Sequence, residues 1–164
     1  MVWKLGEGDA YALLAVLLRE TEGIFLLPTI TRTAEGKPGF SDHPGLHFSL
    51  SHSGGRSLCV LGGAPVGADI ERVRPRSKGL ARYVMDDREY NWFQARGSGW
   101  GDFYTLWTLK EARVKCTGEG IFRGPVRQIS VPLLEPGGRA DWEGFSFVAL
   151  SGEDWRGAVC LKIL

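Results

Sequence analysis

The sequence predicts an α+β fold, in which antiparallel strands pack on a few helices within one domain. The chain has 164 residues, which is enough for one sizeable core. Apolar side chains recur with helical spacing from Asp102 to Gly118, whereas Pro65 to Glu71 alternates as a strand does. Short strand-like runs separated by glycine-rich turns fill the last third of the chain, which is typical of an antiparallel meander.

Composition excludes several function classes. The chain carries 20 Lys and Arg against 19 Asp and Glu, a net charge of +1, which argues against nucleic-acid binding driven by bulk charge. Its three cysteines lack metal-ligand spacing, so we expect free thiols in a reducing compartment, the cytoplasm. No apolar run approaches the roughly 20 residues of a membrane span, and we expect neither a signal peptide nor a membrane partner.

The central helix carries polar side chains at regular spacing. We expect Asp102 to cap its start and Gly118 to end it in the left-handed conformation. Trp107, Glu111 and Lys115 are each four residues apart and therefore share one side, with Trp107 packing the helix on a sheet and directing Glu111. A carboxylate followed one turn later by an ammonium suits a site for a cation and phosphates. The alternative is an ordinary exposed ion pair that supports the helix.

A strand from Pro65 to Glu71 supplies two more carboxylates. Side chains alternate along a strand, so Asp69 and Glu71 share one face while Val66, Ala68 and Ile70 take the other. Together with Glu111 they would make a site of three carboxylates, which suits Mg²⁺ or Mn²⁺ better than zinc. The alternative is a solvated polar face on a half-buried strand.

Other elements follow from local signals. Asp9 is expected to cap a helix from Ala10 to Glu20 that Gly23 ends, and Asp86 with Glu89 resembles a capping box for a helix from Asp87 to Arg96. We therefore interpret Glu89 as a cap rather than a metal ligand. Expected strands are His47 to Ser51, Ser57 to Leu61 paired as a hairpin with Val66 to Glu71, and a meander of Gln128 to Leu133, Phe145 to Leu150 and Ala158 to Ile163.

A basic stretch follows the second strand of that expected hairpin. It comprises Arg72, Arg74, Arg76, Lys78 and Arg82. Complementary charge steers encounter with an acidic partner, so a docking surface is one interpretation and a solvated basic loop is the other. Further along, Arg123 and Arg127 have two interpretations. They could reach phosphates, or they are ordinary exposed arginines.

Three segments, in this order, resemble the 4′-phosphopantetheinyl transferases: Phe48-Ser49-Leu50-Ser51-His52-Ser53, Val66-Gly67-Ala68-Asp69-Ile70-Glu71, and Trp107-Thr108-Leu109-Lys110-Glu111-Ala112 with Lys115. Gly36-Lys37-Pro38 matches a fourth element of that family. Each motif is weak alone, but their joint order and spacing are specific, and the resemblance runs from about Leu13 to Val131. The Ser-His-Ser element is typical of the larger, pseudo-dimeric group that activates synthetase carrier proteins.

This resemblance implies a fold and an activity. The fold has two similar α+β halves, about residues 1–64 and 65–164, with the first half shortened at its N-terminus. The activity is Mg²⁺-dependent transfer of the 4′-phosphopantetheine arm from coenzyme A to a serine of an acyl or peptidyl carrier protein, releasing adenosine 3′,5′-bisphosphate. The pathways are fatty-acid, polyketide or nonribosomal-peptide biosynthesis. We expect a monomer or small oligomer, with Mn²⁺ as a substitute for Mg²⁺.

The resemblance also implies roles for single residues. Asp69, Glu71 and Glu111 would hold the metal ion, and Glu111, directly or through a water molecule, would accept the proton of the carrier serine. Lys37 would lie beside the nucleotide end of coenzyme A.

The remaining implied contacts are with phosphates. Ser51 would contact the nucleotide phosphate and His52 the diphosphate. The cation would neutralise much of the negative charge of the diphosphate, and His52 and Lys115 would neutralise the rest.

Two other functions fit the same residues. One is a Mg²⁺-dependent hydrolase that cleaves coenzyme A or other diphosphates without a carrier protein. The other is an inactive paralogue that docks carrier proteins and needs no metal ion. Binding of coenzyme A that strengthens with Mg²⁺ would count against the docking module.

Overall fold

The computed structural model describes residues 1–77, 79–118 and 125–163. Its helices are α1 (Ala10–Leu17), which continues as a π-helical turn over Leu18–Glu22, α2 (Gly79–Val84), α3 (Asp87–Ala95) and α4 (Trp100–Thr117), and a 3₁₀ turn spans Val126–Gln128. Its strands are β1 (Val2–Glu7), β2 (Ile30–Arg32), β3 (Pro38–Phe40), β4 (His47–Ser53), β5 (Arg56–Gly62), β6 (Val66–Arg72), β7 (Arg139–Trp142), β8 (Phe145–Ser151) and β9 (Trp155–Lys162).

The strands form three antiparallel sheets. The first has the order β1-β5-β4, the second is the β2-β3 hairpin, and the third has the order β6-β9-β8-β7. This arrangement of antiparallel sheets with helices confirms the predicted α+β class. The first sheet ends at Gly62 and the third begins at Val66; our division into two pseudo-halves near residue 64 stays a prediction.

Several predicted helix ends are confirmed and one is wrong. The Asp9 side chain accepts from the Tyr11 amide at the start of α1, and Gly23 (φ 68°) ends the π-helical turn. At α3 both hydrogen bonds of the predicted capping box are present. Gly118 (φ 75°) ends α4 as predicted.

The start of α4 differs from the prediction. The N-cap is Gly99, so Asp102 lies inside the first turn, where it pairs with Arg96 (Nε to Oδ1 3.0 Å). The sequence hides this earlier start because the residues before Asp102 are Gly99, Trp100 and Gly101, and glycines are poor signals for a helix.

Two predicted strand arrangements are wrong. The expected hairpin of β5 with β6 does not form, because β5 already has β1 and β4 on its two edges and β6 pairs with β9. The expected strand over Gln128 to Leu133 is a 3₁₀ turn followed by irregular chain, and the third strand of the meander is β7 instead. Strand β1, which precedes α1, was not predicted at all.

The core has three parts that fix these elements. Helix α1 packs Leu14 and Leu17 on one face of the first sheet, beside Phe48. Leu58 and Val60 of β5 meet Ile70 and Val159 of the third sheet. On the other face of that third sheet, α4 buries Leu106, Leu109 and Ala112 against Phe147 and Ala158.

A buried ion pair joins α3 to α4. Lys110 Nζ lies 2.9 Å from Glu89 Oε2, both side chains are fully buried, and the ammonium also donates to the Ile129 carbonyl at 2.6 Å. Burial lowers the pKa of Lys110 and raises the pKa of Glu89. Glu89 is thus both a helix cap and an ion-pair partner. Of the helices in the described ranges, none is apolar over a length that could cross a membrane.

Candidate functional site

Strands β4 and β6 lie side by side at the edges of two different sheets. Serine hydroxyls of β4, rather than its backbone carbonyls, form the hydrogen bonds to the β6 amides. The amides of Ala68, Ile70 and Arg72 donate to the Oγ atoms of Ser49, Ser51 and Ser53 at 3.1, 3.2 and 3.1 Å. Counted along β6, every second amide from Ala68 to Arg72 therefore donates to a serine side chain rather than to a carbonyl of a neighbouring strand. We call this row of three contacts the serine seam.

Helix α4 lies directly on β6 because β6 has no side chain at Gly67. A Cβ atom there would be 1.9 Å from the Ala112 carbonyl oxygen and 2.5 Å from the Cys116 amide nitrogen. Only glycine permits this approach of the two backbones. The contact brings the Glu111 and Lys115 side of the helix over the face of β6 that carries Asp69 and Glu71.

Asp69 is the centre of the resulting cluster. Its Oδ1 atom accepts from Lys115 Nζ at 2.7 Å and from Ser51 Oγ at 3.0 Å, and the residue is only 4% exposed. Burial raises the pKa of Asp69, although Lys115 opposes that shift. The other oxygen, Oδ2, is buried and has no hydrogen-bond partner among the described residues.

Glu71 and Glu111 complete the acidic face. Glu71 Oε2 accepts from Ser53 Oγ at 3.1 Å. Glu111 is 7% exposed, and burial together with the charges of Asp69 and Glu71 raises its pKa to about 7, with Lys115 opposing. Three carboxyl groups therefore repel one another in a place with little solvent, which is an environment that a cation would relieve.

The acidic side chains fit a hard divalent cation by their chemistry. All three offer oxygen ligands, and the unpartnered Oδ2 of Asp69 is a buried acceptor that lacks a positive or donating neighbour. Within the described ranges, no three His, Cys, Asp or Glu side chains form a ready ligand group. At Asp69, the Lys115 ammonium already contacts Oδ1, so one of the two carboxylate oxygens is taken.

A cleft of about 390 Å³ opens beside this cluster. Its lining includes Tyr11, Lys37, Phe48, Glu111, Val114 and Lys115. The lining thus combines charged side chains of the cluster with apolar ones. Such a cleft can hold a ligand that has both a charged group and an apolar part.

Lys37, which was predicted to lie beside a nucleotide, lines this cleft but is not a solvated loop lysine. Its ammonium donates to the Cys116 carbonyl at the end of α4 and to the Val66 carbonyl at 3.3 Å. Burial lowers the pKa of Lys37. The side chain therefore ties the β2-β3 hairpin to both β6 and α4, and only part of its donor capacity is left for a ligand.

The two residues implied to contact phosphate are placed differently. Ser51 is nearly buried, and its hydroxyl has three protein partners: it donates to Asp69 and accepts from the Ile70 amide and from Lys115 Nζ, the last at 3.2 Å. His52 is exposed next to it on β4. Because strand side chains alternate, His52 points to the face opposite Ser51 and Ser53, and it does not line the cleft.

Much of the predicted basic stretch is engaged locally. Arg72 pairs with Asp154 at 3.5 Å, and Arg82 pairs with Asp87 at 3.1 Å while lying over the Tyr90 ring. Arg74 and Arg76 are exposed. Lys78 lies outside the described residues.

Two further expectations concern arginines after α4 and the tryptophan of the central helix. Arg127 pairs with Asp87 at 2.9 Å, which leaves it turned away from the cluster, and Arg123 lies outside the described residues. Trp107 is half-buried rather than fully buried and stacks on Phe103, with ring centroids 6.3 Å apart.

Sequence reasoning did not assign Ser49 or Ser53 to the site. A signal was available, because serines at positions 49, 51 and 53 follow the two-residue period of a strand and so share one face. What the sequence does not show is that this face meets the edge of β6.

Comparison with known proteins gives a consistent relationship. Residues 65–160 match the family model of the 4′-phosphopantetheinyl transferase superfamily. The 4′-phosphopantetheinyl transferase Sfp of Bacillus subtilis (strain 168) is 36% identical over 104 residues, which are 62% of this chain and 46% of that protein. The 4′-phosphopantetheinyl transferase HetI of Nostoc sp. is 32% identical over 129 residues, 74% of this chain and 54% of that protein.

A third relative is the 4′-phosphopantetheinyl transferase gsp of Aneurinibacillus migulanus, which is 38% identical over 89 residues, 53% of this chain and 37% of that protein. The chain spans about half the length of the curated relatives it matches. The family match covers more than half of the chain and includes the residues of β6 and α4 that form the acidic cluster. The chain therefore belongs to the 4′-phosphopantetheinyl transferase superfamily.

Proposed function

We propose that this chain transfers the 4′-phosphopantetheine arm of coenzyme A to a serine of an acyl or peptidyl carrier protein. The observation that carries the proposal is the meeting of Asp69, Glu71 and Glu111 with Lys115 at the end of a cleft. The family membership of the chain supports the same reaction, and a cleft of about 390 Å³ opens beside the cluster.

Asp69, Glu71 and Glu111 would hold Mg²⁺, for which Mn²⁺ can substitute. The bound ion supplies positive charge to the diphosphate oxygens of coenzyme A. Lys115 adds a second positive charge at the same place, since its ammonium already lies between Asp69 and Ser51. The family resemblance also assigns the diphosphate to His52, which is exposed near the end of β4 and outside the cleft lining.

The chemical step is a displacement at phosphorus. The carrier serine Oγ forms a bond to the β-phosphorus, the bond from that phosphorus to the bridging oxygen breaks, and adenosine 3′,5′-bisphosphate leaves with the electron pair. Glu111, directly or through a water molecule, accepts the serine proton. In the metal-free chain, burial and neighbouring carboxylates raise the pKa of this carboxyl to about 7. A carboxylate that holds a cation is a weaker base, so a water molecule that relays the proton is at least as suitable as direct transfer.

We assign binding of the nucleotide to this cleft, whose lining includes Lys37 and Tyr11. Tyr11 is partly exposed and offers aromatic surface for a base. The three cysteines are free and buried, as is usual in a reducing compartment, and we assign the protein to the cytoplasm. We also propose that it acts as a monomer or small oligomer.

An intact-mass assay of a purified apo-carrier protein tests this proposal. The carrier is incubated with the protein, coenzyme A and Mg²⁺, with and without EDTA. We expect the carrier to gain the mass of one phosphopantetheine arm, and EDTA to prevent the gain. Glu111→Gln should lower the initial rate by at least about 100-fold, because it removes a metal ligand and the candidate base together.

A matched control and two rival outcomes sharpen the assay. Glu20→Gln removes an exposed carboxylate that pairs with Lys4 outside the cluster, so transfer should stay at the wild-type rate. Breakdown of coenzyme A without modification of any carrier would indicate the hydrolase. Carrier binding that is indifferent to EDTA, with neither modification nor breakdown, would indicate the docking module.

A further inference from the structure

The serine seam does more than satisfy the edge of β6. Each of its three hydroxyls accepts one amide proton from β6. A hydroxyl also has one proton of its own to donate, and its direction is limited once an acceptor lone pair is occupied. Two of the three hydroxyls direct that proton at a carboxylate of the acidic cluster.

Ser53 is the clearer of the two. Its Oγ atom accepts from the Arg72 amide at 3.1 Å and donates to Glu71 Oε2 at 3.1 Å. The hydroxyl therefore fixes one oxygen of Glu71 relative to the backbone of the strand that carries it.

Ser51 makes the equivalent contact one pair of residues earlier. It accepts from the Ile70 amide and donates to Asp69 Oδ1, while Lys115 Nζ approaches both atoms. The donor and both acceptor positions of this hydroxyl are then used. A direct contact with a phosphate would require one of these bonds to break, whereas Oδ2 of Asp69 remains without a partner.

We propose that Ser53 and Ser51 are positioning residues, which fix Glu71 and Asp69 across the serine seam so that their remaining oxygens meet in the cation site. This inference rests on the proposed function, since it deepens the assignment of the same cluster. It gives Ser53 a role that the motif comparison leaves open, and it gives Ser51 a contact to a metal ligand. Partners of this kind orient ligands and tune affinity for the ion.

Ser49 provides a control that distinguishes a positioning role from a merely structural role. Its hydroxyl accepts from the Ala68 amide at 3.1 Å, as the other two accept from theirs, yet the residue opposite it on the acidic face is Gly67, which has no carboxylate. Ser49→Ala and Ser53→Ala therefore each remove one hydroxyl–amide bond of the seam. Only Ser53→Ala also removes a hydrogen bond to the cluster.

The test is titration of the purified full chain with Mn²⁺ alone, following free Mn²⁺ by electron paramagnetic resonance. Ser53→Ala is expected to weaken Mn²⁺ binding by about 10-fold, as loss of a partner to a metal ligand typically does. Ser53→Thr keeps the hydroxyl and should restore the wild-type affinity. Ser49→Ala should bind Mn²⁺ as the wild type does, although its melting temperature should fall because it too loses a hydroxyl–amide bond of the seam.

The outcomes are distinct. Equal Mn²⁺ affinity in the wild type, Ser49→Ala and Ser53→Ala would overturn the positioning role and leave the cation site standing. Equal weakening in Ser49→Ala and Ser53→Ala would overturn it as well, because the seam would then act only through stability. If the wild type binds no Mn²⁺, the proposed cation site fails and the positioning role fails with it. If Ser53→Ala does not fold, the test depends on Ser53→Thr, which keeps the hydroxyl. A Ser53→Thr protein that folds but binds Mn²⁺ more weakly than the wild type would contradict the proposal.

Discussion

At the scale of single residues, Glu111 has the most unusual environment. It is almost buried, and the pKa of its carboxyl is raised to about 7 by burial and by two neighbouring carboxylates. In the unfolded chain a glutamate has an ordinary pKa. The folded state therefore holds the proton more tightly, so the contribution of Glu111 to stability is full at low pH and is lost as pH rises to about 7.

This difference predicts how stability depends on pH in the absence of metal ions. In EDTA, raising the pH from about 4.5 to about 7 should cost the wild type up to about 3 kcal/mol relative to Glu111→Gln, which has no charge to bury. At pH 8 the variant should be the more stable protein. Urea unfolding of both proteins at pH 5 and pH 8 measures this, and parallel changes in the two would contradict the assigned environment.

Some of these residues were predictable and others were not. Alternation along the strand was enough to place Asp69 and Glu71 on one face, and helical spacing placed Glu111 and Lys115 on one side of α4. The contact of Lys115 with Asp69 was not predictable from spacing, because it joins residues on two different elements. Ser51 was predicted to contact a phosphate, whereas its hydroxyl is fully used within the protein.

At the scale of elements, the position of α4 on β6 decides whether the cluster exists. The motif residue Gly67 allows that position, since any Cβ atom would meet the backbone of Ala112 and Cys116. A backbone atom cannot move aside as a flexible side chain can. An alanine here would therefore push the helix away from the strand and carry Glu111 away from Asp69.

Gly67→Ala is accordingly expected to lower the free energy of unfolding by at least about 1–3 kcal/mol, the cost of overpacking a well-filled contact. It should also weaken Mn²⁺ binding, because Glu111 is displaced. Gly63→Ala is the matched control, since a Cβ atom at Gly63 meets nothing within 4 Å. Urea unfolding compares the two variants. Equal stability of both would show that β6 and α4 are less closely packed than described.

Local signals predicted most elements but not their pairing. Asp9, Gly23, Asp86 and Gly118 mark helix ends that the structure confirms, because caps depend on neighbouring residues only. The hairpin of β5 with β6 was wrong for the opposite reason. A glycine-rich connection permits a turn, but the partners of a strand are set by distant chain, here by β1, β4 and β9.

At the scale of the whole molecule, the site is a product of how the two larger sheets meet. β4 is the edge of the first sheet and β6 is the edge of the third, and the serine seam joins them. Helix α4 then covers β6 from one face, and the β2-β3 hairpin is held to both by Lys37. The family motifs are thus distributed over the elements that converge on this junction.

The family resemblance and the α+β class could be inferred from the sequence because they depend on motifs and periodicity. The junction could not be inferred, since no local pattern states which edge of one sheet meets which edge of another. Ser49, Ser51 and Ser53 illustrate this limit. Their spacing shows a common face, but the reason for three serines is visible only when the amides of β6 are seen opposite them.

The claim on which the proposed function depends is that Asp69, Glu71 and Glu111 hold one cation. Crystals grown with Mn²⁺ and coenzyme A, and measured for the anomalous scattering of manganese, test this claim directly. We expect one strong anomalous peak that contacts a carboxylate oxygen from each of the three residues. A map with no peak at this cluster, or with its only strong peak elsewhere on the molecule, would contradict the claim.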